Sequence, residues 1–163
     1  GQIPLYYNHL NTGRPLKEGK WFSKFTSNYL DIDNDPLYPF GYGLSYTTFK
    51  YGKPTLSSNT MTNNETISVS VDITNTGNYD ADEIAQMYIR DLAASVSRPV
   101  KELKGFERIS IKKGETKTVT FTITPEDLKF YNQELEYKNE PGEFEVMVGP
   151  NSKDVQTLTF TLK

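Results

Sequence analysis

Ile67, Val69, Val71 and Ile73 alternate strictly with Ser68, Ser70, Asp72 and Thr74. A period of two puts all four apolar side chains on one face, which suits a strand with one dry and one wet side and does not suit an amphipathic helix. The alternation returns in Val119, Phe121 and Ile123, in Phe144, Val146 and Val148, and in Leu158, Phe160 and Leu162. Ile84 to Ile89 and Leu103 to Ile111 are further strand candidates. Turn formers separate these runs: Asn75-Thr76-Gly77-Asn78, Lys112-Lys113-Gly114-Glu115, Glu140-Pro141-Gly142 and Gly149-Pro150-Asn151. About seven strands at this spacing predict an all-β, immunoglobulin-like sandwich. One helical turn is expected at Pro125 to Lys129, with Thr124 as N-cap, Pro125 at N1 and Asp127 at N3.

The chain ahead of the first strand reads differently. No period of 2 or 3.6 is sustained there, yet 10 of the 21 aromatic residues lie in the first 46 positions. Disordered segments are poor in aromatics, so this is an arm that packs on something. Its last stretch, Pro36 to Phe49, holds two prolines, two glycines and five aromatics. Pro36 and Pro39 fix φ and push their neighbours towards extended backbone, while Gly41 and Gly43 open angles closed to other residues. The expected division is an irregular, proline- and aromatic-rich arm over residues 1–45 and the sandwich over 46–163. Pro36 to Phe49 should pack on the sandwich edge near the first strand, and residues 1 to about 35 should be held more loosely.

Three motifs carry a resemblance that covers essentially the whole chain. Pro36-Leu37-Tyr38-Pro39-Phe40-Gly41-Tyr42-Gly43-Leu44-Ser45-Tyr46-Thr47-Thr48-Phe49 resembles the hinge before the last domain of family 3 glycoside hydrolases of the β-glucosidase type. Upstream, Gly1-Gln2-Ile3-Pro4-Leu5-Tyr6-Tyr7-Asn8-His9 with Asn11-Thr12-Gly13-Arg14-Pro15 is similar to the end of that family's α/β domain. Downstream, Arg98-Pro99-Val100-Lys101-Glu102-Leu103-Lys104-Gly105-Phe106 and Glu140-Pro141-Gly142-Glu143-Phe144 resemble its fibronectin type III-like domain. The resemblance implies a retaining β-glycosidase as parent, working through a covalent glycosyl intermediate without cofactor. It also implies a C-terminal accessory domain that buttresses the catalytic domains and contributes a possible homo-oligomer contact. The alternative is an autonomous carbohydrate- or surface-binding module.

The candidate chemistry is thin. Asp31-Ile32-Asp33-Asn34-Asp35 begins like a calcium loop, but Pro36 stands where that loop needs glycine and Tyr42 where it needs a bidentate glutamate. A solvated acidic turn is the better reading, and no metal site is expected. His9 is the sole histidine, so no histidine-based triad can be built, and a structural hydrogen bond is its expected role. Gly41 and Gly43 precede a strand, and Tyr46 takes the third glycine position of a dinucleotide loop, so turn geometry explains them. Glycoside hydrolysis needs two carboxyl groups flanking one bond. Asp80, Asp82, Glu83, Glu115 and Glu143 fall on exposed strand positions or in turns, where a charge serves solvation. The family resemblance puts both catalytic carboxyl groups upstream, so no catalytic or cofactor-binding residue is expected in this chain. Trp21, Tyr29, Tyr38, Tyr42 and Tyr131 could stack on sugars, although interface packing is the favoured use of such rings. Asn64-Glu65-Thr66 fits the glycosylation acceptor pattern, a motif short enough to arise by chance.

Composition narrows the partners. A net charge of −3 with dispersed basic residues argues against nucleic acid. No apolar run approaches the roughly 18 residues of a membrane helix. The absence of cysteine removes disulfides and thiolate metal sites and leaves the compartment open between cytosol, periplasm and cell surface. Family resemblance favours a periplasmic or extracellular setting.

Overall fold

The structure is a computed structural model that describes residues 5–15 and 24–163. Its strands run in chain order as β1 (Phe49–Tyr51), β2 (Thr55–Leu56), β3 (Thr60–Met61), β4 (Ile67–Asn75), β5 (Ala81–Asp91), β6 (Glu102–Ile111) and β7 (Thr116–Ile123). A 3-10 turn (Pro125–Leu128) follows, then β8 (Phe130–Tyr131), β9 (Tyr137–Lys138), β10 (Gly142–Gly149) and β11 (Gln156–Leu162). One sheet centres on β4, with β1 and β2 along one side and β7 along the other. The second sheet has the order β3-β11-β10-β5-β6, and β8 and β9 form a separate hairpin.

The period of two sets the core. Ile67, Val69, Val71 and Ile73 of β4 face inward beside Val119, Phe121 and Ile123 of β7, in a register that opposes Val69 to Phe121. Across the gap lie Ala85, Met87 and Ile89 of β5, Phe144, Val146 and Val148 of β10, and Phe160 and Leu162 of β11. Phe144 and Phe160 are cross-strand partners whose rings stack 5.5 Å apart. Leu158 is only partly covered. The wet face of the β4–β7 pair is a row of cross-strand hydroxyls, with Ser70 to Thr120 and Thr74 to Thr116 at 2.8 Å.

The single first strand implied by a count of seven is broken into three short pieces. Gly52 and Pro54 interrupt β1 and β2, because proline cannot donate to the ladder. By β3 the chain has crossed to the other sheet, where it pairs with β11 in parallel. The predicted helical turn is present as 3-10, and the Asp127 carboxylate accepts from the Thr124 N–H at 2.8 Å and from its hydroxyl at 2.7 Å.

Candidate functional site at the arm-docking face

Ala85 to Ile89 are buried without a break, on both faces of β5. Ala85, Met87 and Ile89 face the core, so Gln86 and Tyr88 must be covered from outside, and the arm covers them. The Tyr88 hydroxyl donates to Gln86 Oε1. Gln86 Nε2 donates in turn to the Gly41 carbonyl at 3.1 Å and the Pro150 carbonyl at 2.7 Å. Gly41 has φ +79°, and a Cβ there would lie 2.0 Å from Gln86 Oε1, so any other residue would be strained and would displace the Gln86 amide. Tyr7 stacks on Phe40 with centroids 4.1 Å apart and meets Tyr88 edge-on at 5.8 Å. Burial, with Tyr7 beside it, pushes the Tyr88 phenol well above its usual range.

Backbone bonds tie the arm at two heights. The Val100 N–H donates to the His9 carbonyl at 2.9 Å, beside a bridge between Leu10 and Pro99. Lower down, the Ser152 N–H donates to the Phe40 carbonyl at 2.9 Å. Lys101 reaches the Ser152 carbonyl at 2.6 Å, and partial burial lowers its pKa. Lys153 pairs with Asp35 at 3.0 Å. The expected packing near the first strand holds for Thr47 and Thr48, whereas Phe40 and Gly41 lie on the outer face of the five-stranded sheet, and Tyr7, His9 and Leu10 are bonded to the sandwich.

A third anchor holds the junction with β1. Asn75 is fully buried at the end of β4. Its amide donates to the carbonyls of Tyr79 (2.8 Å) and Ile111 (3.0 Å), and its oxygen accepts from the Thr47 hydroxyl (2.7 Å) and the Gly77 N–H (3.1 Å). A Cβ on Gly77 would fall 2.1 Å from Thr47 Oγ1. All four hydrogen-bonding valences of the amide are used, which is how a buried polar side chain avoids a desolvation penalty.

The sequence candidates distribute as follows. His9 lies on the docked arm, where its Nδ1 and the Leu10 carbonyl are 2.8 Å apart. Asn34 bonds the Tyr29 N–H and the Ser27 carbonyl, and Asp35 is held by Lys153, so these residues stabilise a turn. Among the described residues no three of His, Cys, Asp or Glu gather as metal ligands. Asp80 and Glu115 accept from the N–H groups of Lys113 and Lys112, both at 2.7 Å. Glu143 is exposed, and so is Asn64, in the turn before β4. Glu83 departs from the solvated reading. It is half-buried, accepts from the Tyr51 hydroxyl at 2.8 Å, and has its pKa raised by burial. Its neighbour Asp82 points to the opposite face, where Ser110 and Arg108 hold its pKa down. The two carboxyl groups cannot serve one bond. Tyr38 and Tyr42 lie 5.3 Å apart and are exposed, as is Tyr131, whereas Trp21 lies outside the described residues.

A cleft of about 1070 Å³ opens between arm and sheet, lined by Tyr6, Tyr38, Arg90, Lys101, Glu145 and Lys153 among others. Its carboxylates are engaged: Glu145 lies 3.5 Å from Arg90, and Asp35 is paired with Lys153. Sequence reasoning missed Gln86, Tyr88 and Asn75. The signal for Gln86 was there, because an amide inside an apolar strand demands a partner.

Comparison with known proteins agrees with this architecture. Residues 83–152 match the fibronectin type III-like domain. A periplasmic β-glucosidase of Salmonella typhimurium is 54% identical over 162 residues, which are 99% of this chain and 21% of that protein. A β-glucosidase from Listeria innocua, solved with gluconolactone, superposes with a TM-score of 0.91 at 45% identity, covering 98% of this chain and 22% of that one. A GH3 β-glucosidase of Bifidobacterium adolescentis superposes at 0.70 with 36% identity, covering 77% and 18%. The chain thus spans about a fifth of the length of the relatives it matches.

Proposed function

Since this chain carries a fibronectin type III-like domain and corresponds to the C-terminal region of the family 3 glycoside hydrolases, we propose that it serves a β-glycosidase as a non-catalytic buttress. The sandwich is residues 46–163, and residues 1–45 are the arm that joins it to the preceding domain. No residue of the chain takes a catalytic role. The observation that carries this reading is the docked arm: Gln86, Tyr88 and Asn75, all buried, are committed to holding it. A tether fixed at three points sets the orientation of whatever lies upstream. The parent acts on β-glycosides, since the relatives' names include both β-glucosidases and β-xylosidases.

Gly41→Ala in the full-length parent tests the role. It should lower the temperature of half-inactivation while leaving the pH–rate profile of the surviving enzyme unchanged. A displaced profile would put a group of this chain into the chemistry.

A further inference from the structure

The β8–β9 hairpin presents two largely exposed tyrosine rings, with the Lys129 ammonium 5.8 Å from the centroid of Tyr137. Tyr131 and Tyr137 are direct cross-strand partners, 65% and 50% exposed, with centroids 5.0 Å apart. Between them the loop carries Leu135, 79% exposed at φ +61°, a left-handed conformation that leucine rarely adopts. The loop is built to hold that shape. Asn132 is buried, and its oxygen accepts from the N–H groups of Glu134 (3.0 Å) and Glu136 (2.9 Å). Phe130 is buried beneath, with the Arg98 guanidinium 4.5 Å over its ring. A rigid mount for two tyrosines and a leucine, all pointing into solvent, is an unfilled contact surface.

Its position says what fills it. Gln133 reaches the Ser95 carbonyl at 3.3 Å, and Ser95 is bonded to Glu140, so the hairpin leans on the segment between β5 and β6. That same segment carries Pro99 and Val100, which bind Leu10 and His9 of the arm. The patch is therefore continuous with the docked arm, at the end of the sandwich where residues 5–10 arrive. About four-fifths of the length of the relatives lies outside this chain.

We propose that Tyr131, Leu135 and Tyr137 dock the upstream catalytic part of the same polypeptide, seating the two rings and the leucine side chain in an apolar recess. This rests on the buttress reading and adds a second point of attachment, on the sandwich itself, beside the docked arm.

Hydroxyl-radical footprinting of this chain and of the full-length parent, read by mass spectrometry, tests it. Tyr79, 64% exposed in the turn before β5 at the opposite end, is the internal reference. Modification of Tyr131, Leu135 and Tyr137 should fall at least five-fold in the parent while Tyr79 is unchanged. If the arm rings Tyr38 and Tyr42 are protected but the hairpin is not, the hairpin proposal is overturned and the buttress stands. If neither is protected, both fall. Protection that appears in the isolated chain with rising protein concentration, or on adding a soluble β-glucan oligosaccharide, would replace the proposed occupant and also overturn it.

Discussion

Glu83 shows how one strand position differs from its neighbour. Burial disfavours its charge, and the Tyr51 hydroxyl only partly offsets that cost. A carboxyl whose pKa is raised on folding supports the fold fully below the unfolded value, about 4.3. That support is lost as pH rises, because the unfolded chain ionises first. Chemical denaturation of Glu83→Gln should therefore show a smaller stability loss between about pH 4.5 and 7 than the unaltered chain. Identical pH profiles would mean that the glutamate is solvated after all. In the core, Phe121 lies against Gly105 and opposite Val69, and Phe121→Ala should cost about 2–4 kcal/mol in urea melts. Ser70→Ala, which loses one exposed hydroxyl contact, should stay within about 0.5 kcal/mol. A neutral Phe121→Ala would mean a register displaced by one residue.

At the scale of elements, the test falls on the arm. Gly41→Ala forces a Cβ into the Gln86 amide, so the amide must give way or the arm must lift, and either weakens the docking. Hydrogen exchange at Val100 and Ser152, whose N–H groups bond to arm carbonyls, should be slow in the unaltered chain and markedly faster in the variant. Unchanged rates at both would leave the arm docking without energetic weight. The contrast between strands and arm also explains what the sequence reveals. Strand register is local information, because each apolar residue in Ile67–Ile73 or Phe144–Val148 reports its own face. The arm's site depends on pairings some 90 residues apart, such as His9 with Val100, and irregular backbone has no period from which to read them. Its ring-rich composition announced that it would be covered. Only the unbroken burial of Ala85 to Ile89 shows by what.

The whole molecule is a sandwich that binds its own lead-in segment and leaves a second patch open beside it. The described residues bring carboxyl groups near one another, with Asp91 in electrostatic reach of Glu102 and Glu140, but Asp91 accepts from the Ala93 N–H, Glu102 pairs with Arg98 and Glu140 accepts from Ser95. Asp82 and Glu83 diverge, while Glu145 and Asp35 are held by Arg90 and Lys153. Retaining hydrolysis needs a nucleophile and an acid/base about 5 Å apart, flanking one bond. The central claim is that this region contributes geometry and no chemistry. It is tested most directly by incubating the isolated chain with chromogenic β-glucosides and β-xylosides. The expected rate is that of buffer alone, whereas turnover abolished by a single Asp or Glu substitution within this chain would contradict the account.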